Sequence, residues 1–495
     1  MLKRNLLALI LLAAGARLGA QTAPAPGPAP ATPGQDQGQT QTSGQAQSPS
    51  QDANQEPGVN TASPDENPSI PESSGESRVP TPLPLSIDSN MLQFSPELEH
   101  TNYLQAGVSA GASYDTNLLA QSSNVVGGAI YTVTPNIGLN MSRPRLLWSL
   151  NYSGGYLVNQ RYSALNQSSH NAGIDIRYRL SPHANFRVSE RFIYSGAFMN
   201  QLQGNETGLG SGIIQQPNQA VITPVAKQTS NMGTAEITYQ FSAGDMIGAT
   251  GSVYTSHFGD VPTGAPALVG TTTESGSGFY THRITTRNWT GIAYSYQRLS
   301  FNPDTQQVQT HSFFLFHTIY LQSRMQLALF AGPEYTDVSG TVVDNTVAPP
   351  LITSAAHQGW STAGGASFSW QGQRTSLHAS GVRKVSDGGG LLQAVTVTTG
   401  EGAIRRQLTR NTNLEFSGVY ADSRALQAGA GSFTQLKTAS GTVVWEQHFG
   451  RSFSANLGYA RDYQQQNAIT APTLDVNHNR GWITLAYEFT HPLGR

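Results

Sequence analysis

The sequence predicts an all-β fold: a transmembrane, antiparallel, up-and-down β-barrel of about 16–18 strands behind a disordered leader. Three observations predict it. From Leu104 to Phe489, apolar or aromatic residues recur at every second position, as in Ile483, Leu485, Tyr487 and Phe489. In a strand that period sends alternate side chains to opposite faces. Charged residues are 12% of the chain, against about 25% in ordinary soluble domains. Half of a barrel wall faces lipid, where charge is costly, so the deficit has a physical cause. The connections between the alternating runs are short and long by turns, as in outer-membrane barrels.

Composition excludes several alternatives. After the first twenty residues no apolar run reaches the ~18 needed for a spanning helix. The chain has no Cys, which removes thiol catalysis, disulfides and Cys-ligated metals. Lys occurs only at Lys3, Lys227, Lys384 and Lys437, and the net charge is −2, so no nucleic-acid surface is expected. A soluble sandwich would need linkers between several domains. A propeller would need a fixed repeat of about 40 residues. The chain shows neither.

Taken in order, residues 1–20 read as a secretory signal: Lys3 and Arg4, an apolar run from Leu6 to Ala14, then small residues up to Ala20. Residues 21–99 are rich in Pro, Gln and Ser, poor in core-forming residues, and acidic, with Arg78 their one base. They are expected to be a disordered periplasmic leader: a solvated spacer, or in the functional reading a tail that contacts the cell wall or plugs the pore. Residues 100–495 form the barrel. Its runs include Leu104–Tyr114, Leu146–Tyr152, Ala172–Leu180, Ala235–Phe241, Thr290–Tyr296, Met325–Ala331, Leu414–Tyr420 and Phe453–Tyr459. Each is expected to be ~9–11 residues, enough to cross a bilayer at a tilt.

Short turns rich in Pro, Gly, Asn and Ser are expected near 142–144, 181–183, 242–245, 286–288, 322–323, 371–372, 409–411 and 450–451. Long polar loops are expected at 196–231, 259–275, 336–358 and 462–476. Eight short and nine long connections would join 18 strands and leave both barrel termini on the short-turn side.

Outward aromatics near strand ends, Tyr131, Trp148, Tyr178, Tyr239, Phe241, Tyr487 and Phe489, are expected to form girdles at the membrane–water boundary. Alternation turns Asp175, Arg177, Arg179, Arg187 and Arg191 to the lumen. They either favour anionic solutes or simply satisfy one another. Glu190 breaks the pattern, which a bulge or a pairing with Arg191 would explain. Loop 196–231, the longest, is the expected constriction.

No catalytic, cofactor or metal site is expected. Gly107-Val108-Ser109-Ala110-Gly111 matches a nucleophile elbow. That motif needs a strand-to-helix turn, and here it lies inside a strand. Asp387-Gly388-Gly389-Gly390 lacks the Lys and helix of a phosphate cradle and reads as a loop. His311 and His317 share a face about 20 Å apart, too far to share a metal.

Ser113-Tyr114-Asp115-Thr116-Asn117, Val133-Thr134-Pro135 and Phe330-Ala331-Gly332-Pro333-Glu334-Tyr335 resemble phrases of the outer-membrane β-barrel porin family associated with exopolysaccharide export systems. The resemblance implies residence in the outer membrane of a Gram-negative-type cell, contact with its lipid, and saccharide export or diffusion. It brings no catalytic residues. The expected function is a non-enzymatic, passive pore for small polar or saccharide solutes. The rival is a closed barrel displaying loops 196–231 and 336–358 to a partner.

Overall fold

The computed structural model describes residues 102–196, 226–259, 268–302, 306–344, 351–390, 392–426, 433–468 and 474–493. The signal, the leader and most of loop 196–231 lie outside these residues. The strands are β1 (Tyr103–Asp115), β2 (Gly128–Ser142), β3 (Leu146–Asn159), β4 (Gln167–Ser181), β5 (Ala184–Gly196), β6 (Lys227–Gln240), β7 (Asp245–Phe258), β8 (Gly270–Arg283) and β9 (Asn288–Asn302). They continue with β10 (Gln306–Gln322), β11 (Met325–Asp344), β12 (Leu351–Gln371), β13 (Thr375–Gly388), β14 (Leu392–Thr409), β15 (Thr412–Ala425), β16 (Phe433–Phe449), β17 (Phe453–Ala468) and β18 (Leu474–Pro492).

Each strand pairs antiparallel with its sequence neighbours, and β1 pairs with β18, so the 18-stranded sheet closes. The even number brings Tyr103 opposite Pro492 at the end that carries the eight short turns. Those turns fall where the sequence placed them, and side chains hold them. Ser181 Oγ accepts the N–H groups of His183 and Ala184. Thr285 Oγ1 accepts those of Arg287 and Asn288.

Strand length differs from expectation. Strands run from 13 to 21 residues rather than ~9–11. Much of the expected loops is ladder: β11 continues to Asp344 and β12 begins at Leu351 inside 336–358, while β17 continues to Ala468 and β18 begins at Leu474 inside 462–476. Likewise β6 starts at Lys227 and β8 at Gly270. At the long-loop end the outward positions are polar (Thr229, Thr272, Glu274, Arg298), so the apolar half of the alternation fades while backbone pairing continues.

The outward face carries exposed Val108, Val133, Leu150, Ile237, Ile292, Phe313, Leu329, Phe416, Leu457 and Leu485. An apolar surface of this extent is untenable in water. Trp360 and Trp370 stand on the same outward face of β12. Along the strand they are about 33 Å apart, or roughly 25 Å of height at a ~40° tilt, the height of a barrel's apolar band.

The inward face explains many glycines. Phe279 lies opposite Gly248, Phe316 opposite Gly291, Phe330 opposite Gly365, and Trp482 opposite Gly458. In each pair the ring covers the glycine so closely that an added Cβ would strike it. Such aromatic cover compensates a strand glycine and pins register. A Cβ at Gly291 would also sit 2.2 Å from the Tyr280 carbonyl oxygen. Gly291→Val is therefore expected to cost about 1–3 kcal/mol through overpacking, read as a lower urea midpoint of the detergent-solubilised barrel. An unchanged midpoint would refute the pairing argument.

The seam between β1 and β18 is held by the phrase Ser113–Asn117. Asp115, fully buried on the inward face, accepts the Asn117 N–H at 2.8 Å and places its other oxygen 2.7 Å from His478 Nε2. His478 Nδ1 lies 3.3 Å from Asp462 Oδ2, and Ser440 donates to the other Asp462 oxygen. Thr116 exchanges bonds with Asn479: its N–H donates to the Asn479 carbonyl and its Oγ1 accepts the Asn479 N–H. Asn117 Nδ2 donates to the Asn477 and Gln121 carbonyls. Beyond the clasp, Leu118 folds onto Ile130 and Leu157.

Glu190 needs no bulge. The β4–β5 ladder runs unbroken past it, and Glu190 shares the outward face with Asn231, whose Nδ2 donates to it at 3.1 Å. Its partner is therefore Asn231 rather than Arg191.

Candidate functional site: the lumen and its constriction

A barrel of 18 strands is too wide for wall side chains to fill. The candidate site is accordingly the lumen, and the inward residues define it. Asp175 accepts from Arg177 Nε at 3.0 Å and from Arg187 Nε at 2.7 Å. Arg187 lies opposite Arg177 on β4 and opposite Glu236 on β6. Arg191 stands higher on the same face, opposite Gly173 and Met232, and Arg179 is exposed near the short-turn mouth, opposite Asn185.

The five predicted charges thus share one face. Asp175, Arg177 and Arg187 form a linked cluster, and Glu236, which sequence reading missed, adds a second carboxylate. Parity alone could have found it: Glu236 alternates with outward Ile237 and Tyr239.

The opposite wall carries a second charged belt. Arg405 donates to Glu446 at 2.9 Å, Asn413 donates to the same oxygen, and His448 lies 3.3 Å from the other. Glu415 lies opposite Arg405, and Glu488 of β18 points to the same side. The inner wall therefore presents interleaved acids and bases rather than a basic strip.

The predicted girdle residues sort by height. Trp148, Tyr178, Tyr239, Phe241, Tyr487 and Phe489 lie within a few residues of the short-turn end, and Phe241 stacks on Tyr280 there. Tyr131 lies toward the other end. It is joined at mid-height and above by rings the sequence did not group: Tyr152 with His170 and Tyr194, Tyr294 and Tyr296 with His311, and Tyr335 with Trp360. His311 faces outward and bonds the Tyr294 hydroxyl. Ser109 faces inward at mid-strand and donates to the Thr134 carbonyl.

The described obstruction in the lumen is the tip of the β13–β14 hairpin. Above Arg383 both faces of β13 are buried: Val385, Ser386, Asp387 and Gly388. A strand in the wall has one face on lipid, so burial on both sides means the tip has turned inward. Val385 and Ala394 pack with Leu299, Phe301, Val308 and Val338, which line the inner wall from β9 to β11. Glu334 of β11 accepts the Val385 N–H together with the Ser312 and Ser361 hydroxyls. The Gln306 side chain accepts the Ala394 N–H.

At the far end, the Val269 N–H donates to the Gly390 carbonyl at 2.9 Å, and Gly390 lies against the Phe258 ring. Gly389 and Gly390 have positive φ, 64° and 87°, a conformation that glycine adopts at little cost. The run Asp387–Gly390 is thus the fold-back of a hairpin that reaches from β13 to the margin of β7 and β8. From Arg383 to Gly389 it extends about 20 Å at strand rise. Loop 196–231, the expected constriction, falls mainly outside the described residues.

No protein-family model matches the chain, and no curated protein matches it. Several solved structures are similar. OccK2 (OpdF) of Pseudomonas aeruginosa is 9% identical, with 79% of this chain and 98% of that one covered and a TM-score of 0.39. OpdL of Pseudomonas aeruginosa is 11% identical over 79% and 99%, with a TM-score of 0.38. The ferric citrate transporter FecA is 9% identical over 78% of each chain, with a TM-score of 0.40. At these values the likeness carries no argument about what this chain binds.

Proposed function

We propose that this chain is an outer-membrane channel of a Gram-negative-type cell. Its lumen passes small polar or saccharide solutes by diffusion, and the β13–β14 tip narrows the path. One observation carries the reading: around a closed circuit of 18 strands, the outward face is apolar through mid-strand, while the inward face carries polar and charged belts beside apolar patches on β7 to β13. Lipid solvates the outward face and water the inward belts. The short turns then lie in the periplasm and the long loops outside. Exopolysaccharide export is the narrower form of the proposal and rests on the sequence phrases alone.

Planar-bilayer recording with purified protein tests the reading. Discrete conductance steps are expected, and their absence at any protein concentration would sink it.

The paired charges set the expected selectivity. Because Asp175 and Glu236 offset two of the four arginines, and Glu415, Glu446 and Glu488 outnumber Arg405 on the other wall, wild-type preference between anions and cations should be weak. Asp175→Asn frees Arg177 and Arg187. A unit charge acting across ~6 Å of water is worth about 0.7 kcal/mol, or roughly threefold in anion-over-cation permeability. The reversal potential in a salt gradient reads this directly. A shift toward cations would refute the arrangement.

The seated hairpin favours a second reading, a closed barrel that displays its long loops to a partner. Persistent lack of conductance from correctly inserted protein supports it.

A further inference from the structure

The β12–β13 ladder ends at Gly364–Arg383, although β12 runs on to Leu351 and β13 to Gly388. Among the described residues, β12 from Leu351 to Ala363 has β11 on one side and no strand on the other. An unpaired edge leaves backbone groups without strand partners, and Ser361, Thr362 and Ala363 lie below Trp360, at the height of the apolar band, where that is costly. For Gly359 to Ala363 the absent neighbour is in the same chain: it is the upper part of β13, turned into the lumen.

That part also fits the wall. Continuing the register beyond Gly364–Arg383 sets Thr362 opposite Val385. Alternation then turns Lys384 and Ser386 to the lumen, Val385 to the lipid, and Asp387 outward level with Trp360, at the margin of the apolar band. Just below the break, Gly381 and Gly400 face one another across the β13–β14 pair. Glycine at a strand bend absorbs the change in backbone angle. The same residues therefore have two berths and a hinge between them.

We propose that the β13–β14 tip is a gate, seated in the lumen here and able to swing outward to extend the ladder with β12 up to Gly359. This rests on the channel reading. Seated, the tip gains the apolar cluster around Val385 and Ala394 and the bonds to Glu334, Gln306 and Val269. In the wall it exchanges these for backbone pairing with the β12 edge. Packed elements with two discrete arrangements are what gating uses. The swing widens the lumen and covers the β12 edge from Ala363 to Gly359 in one motion.

The absence of Cys makes the test specific. In full-length protein carrying Thr362→Cys and Val385→Cys, mild oxidant joins the pair only if the tip reaches the wall. Asp337→Cys with Gln358→Cys, direct partners in the standing β11–β12 ladder, is the positive control. The expected result is a disulfide in both variants. In the first, oxidation should raise single-channel conductance severalfold, with reversal on reduction. A folded barrel that cross-links only at the control pair overturns the gate, as does a wall disulfide that leaves an open channel's conductance unchanged. Cross-linking without conductance in either redox state supports the swing and sinks the channel reading instead.

Discussion

Replacing Asp115 with Ala is expected to destabilise the barrel by about 3–5 kcal/mol, the scale for breaking a buried ion pair from one side. The size follows from what remains. Both ring nitrogens of His478 face carboxylate oxygens, at 2.7 Å to Asp115 and 3.3 Å to Asp462. Both nitrogens must then donate, which only the imidazolium can do. Arg480 lies beside it, 2% exposed, with its guanidinium over the Trp482 ring.

Two cations and two carboxylates thus form a balanced, dehydrated set. Without Asp115 the cations outnumber the anions, and the Asn117 N–H loses its acceptor. Asp115→Asn retains an oxygen for that N–H but not the charge, so it should fall between Ala and wild type. Because the set joins β1 to β17 and β18, the loss appears as failure of closure. Heat-dependent gel mobility would show it as unfolding at a lower temperature. An Asp115→Ala barrel that melts with wild type would remove the clasp from this account.

The fold was legible because lipid enforces a binary code. Ile483, Leu485, Tyr487 and Phe489 could be assigned a face with no knowledge of their neighbours, and the turn chemistry at Ser181–His183 or Thr286–Asn288 marked the short-turn ends and narrowed the count to about 16–18 strands. The code goes silent where water replaces lipid. Polar outward residues such as Thr229 and Glu274 sit in a ladder as readily as in a loop, so the strand ends at Lys227, Gly270, Asp344 and Leu474 were not visible.

The lumen was half legible for a related reason. Parity gives the face of Arg187 but not the partner it meets across the sheet. Asp175 shares its strand with Arg177, whereas Glu236 comes from β6. The inward hairpin was least legible. Lys384, Val385 and Ser386 alternate like any wall strand, and Gly388-Gly389-Gly390 looks like any loop. What departs from the wall is the third dimension, set by Glu334 and the apolar residues of β9–β11, which lie far away in sequence.

Leu485→Arg is expected to cost about 2–4 kcal/mol, the penalty for a cationic side chain facing lipid near the midplane. Leu485 faces outward on β18, opposite Ala110 of β1 and Ala455 of β17. Ile483 lies above it and Tyr487 and Phe489 below, so the guanidinium has several residues of apolar wall to cross before meeting water. Its flanking alanines offer no acceptor. Ala486→Arg, one residue away, faces inward at a partly exposed position between Ser109 and Ser454 and should be tolerated far better.

The pair separates a lipid-facing wall from a soluble barrel. In water, Leu485→Arg would be harmless or would improve solubility, while Ala486→Arg, on the more enclosed face, would carry the larger loss. Folding yield into vesicles ranks the two. The expected order is wild type, Ala486→Arg, then Leu485→Arg. The reverse order for the two variants would mean that the outward face never meets hydrocarbon.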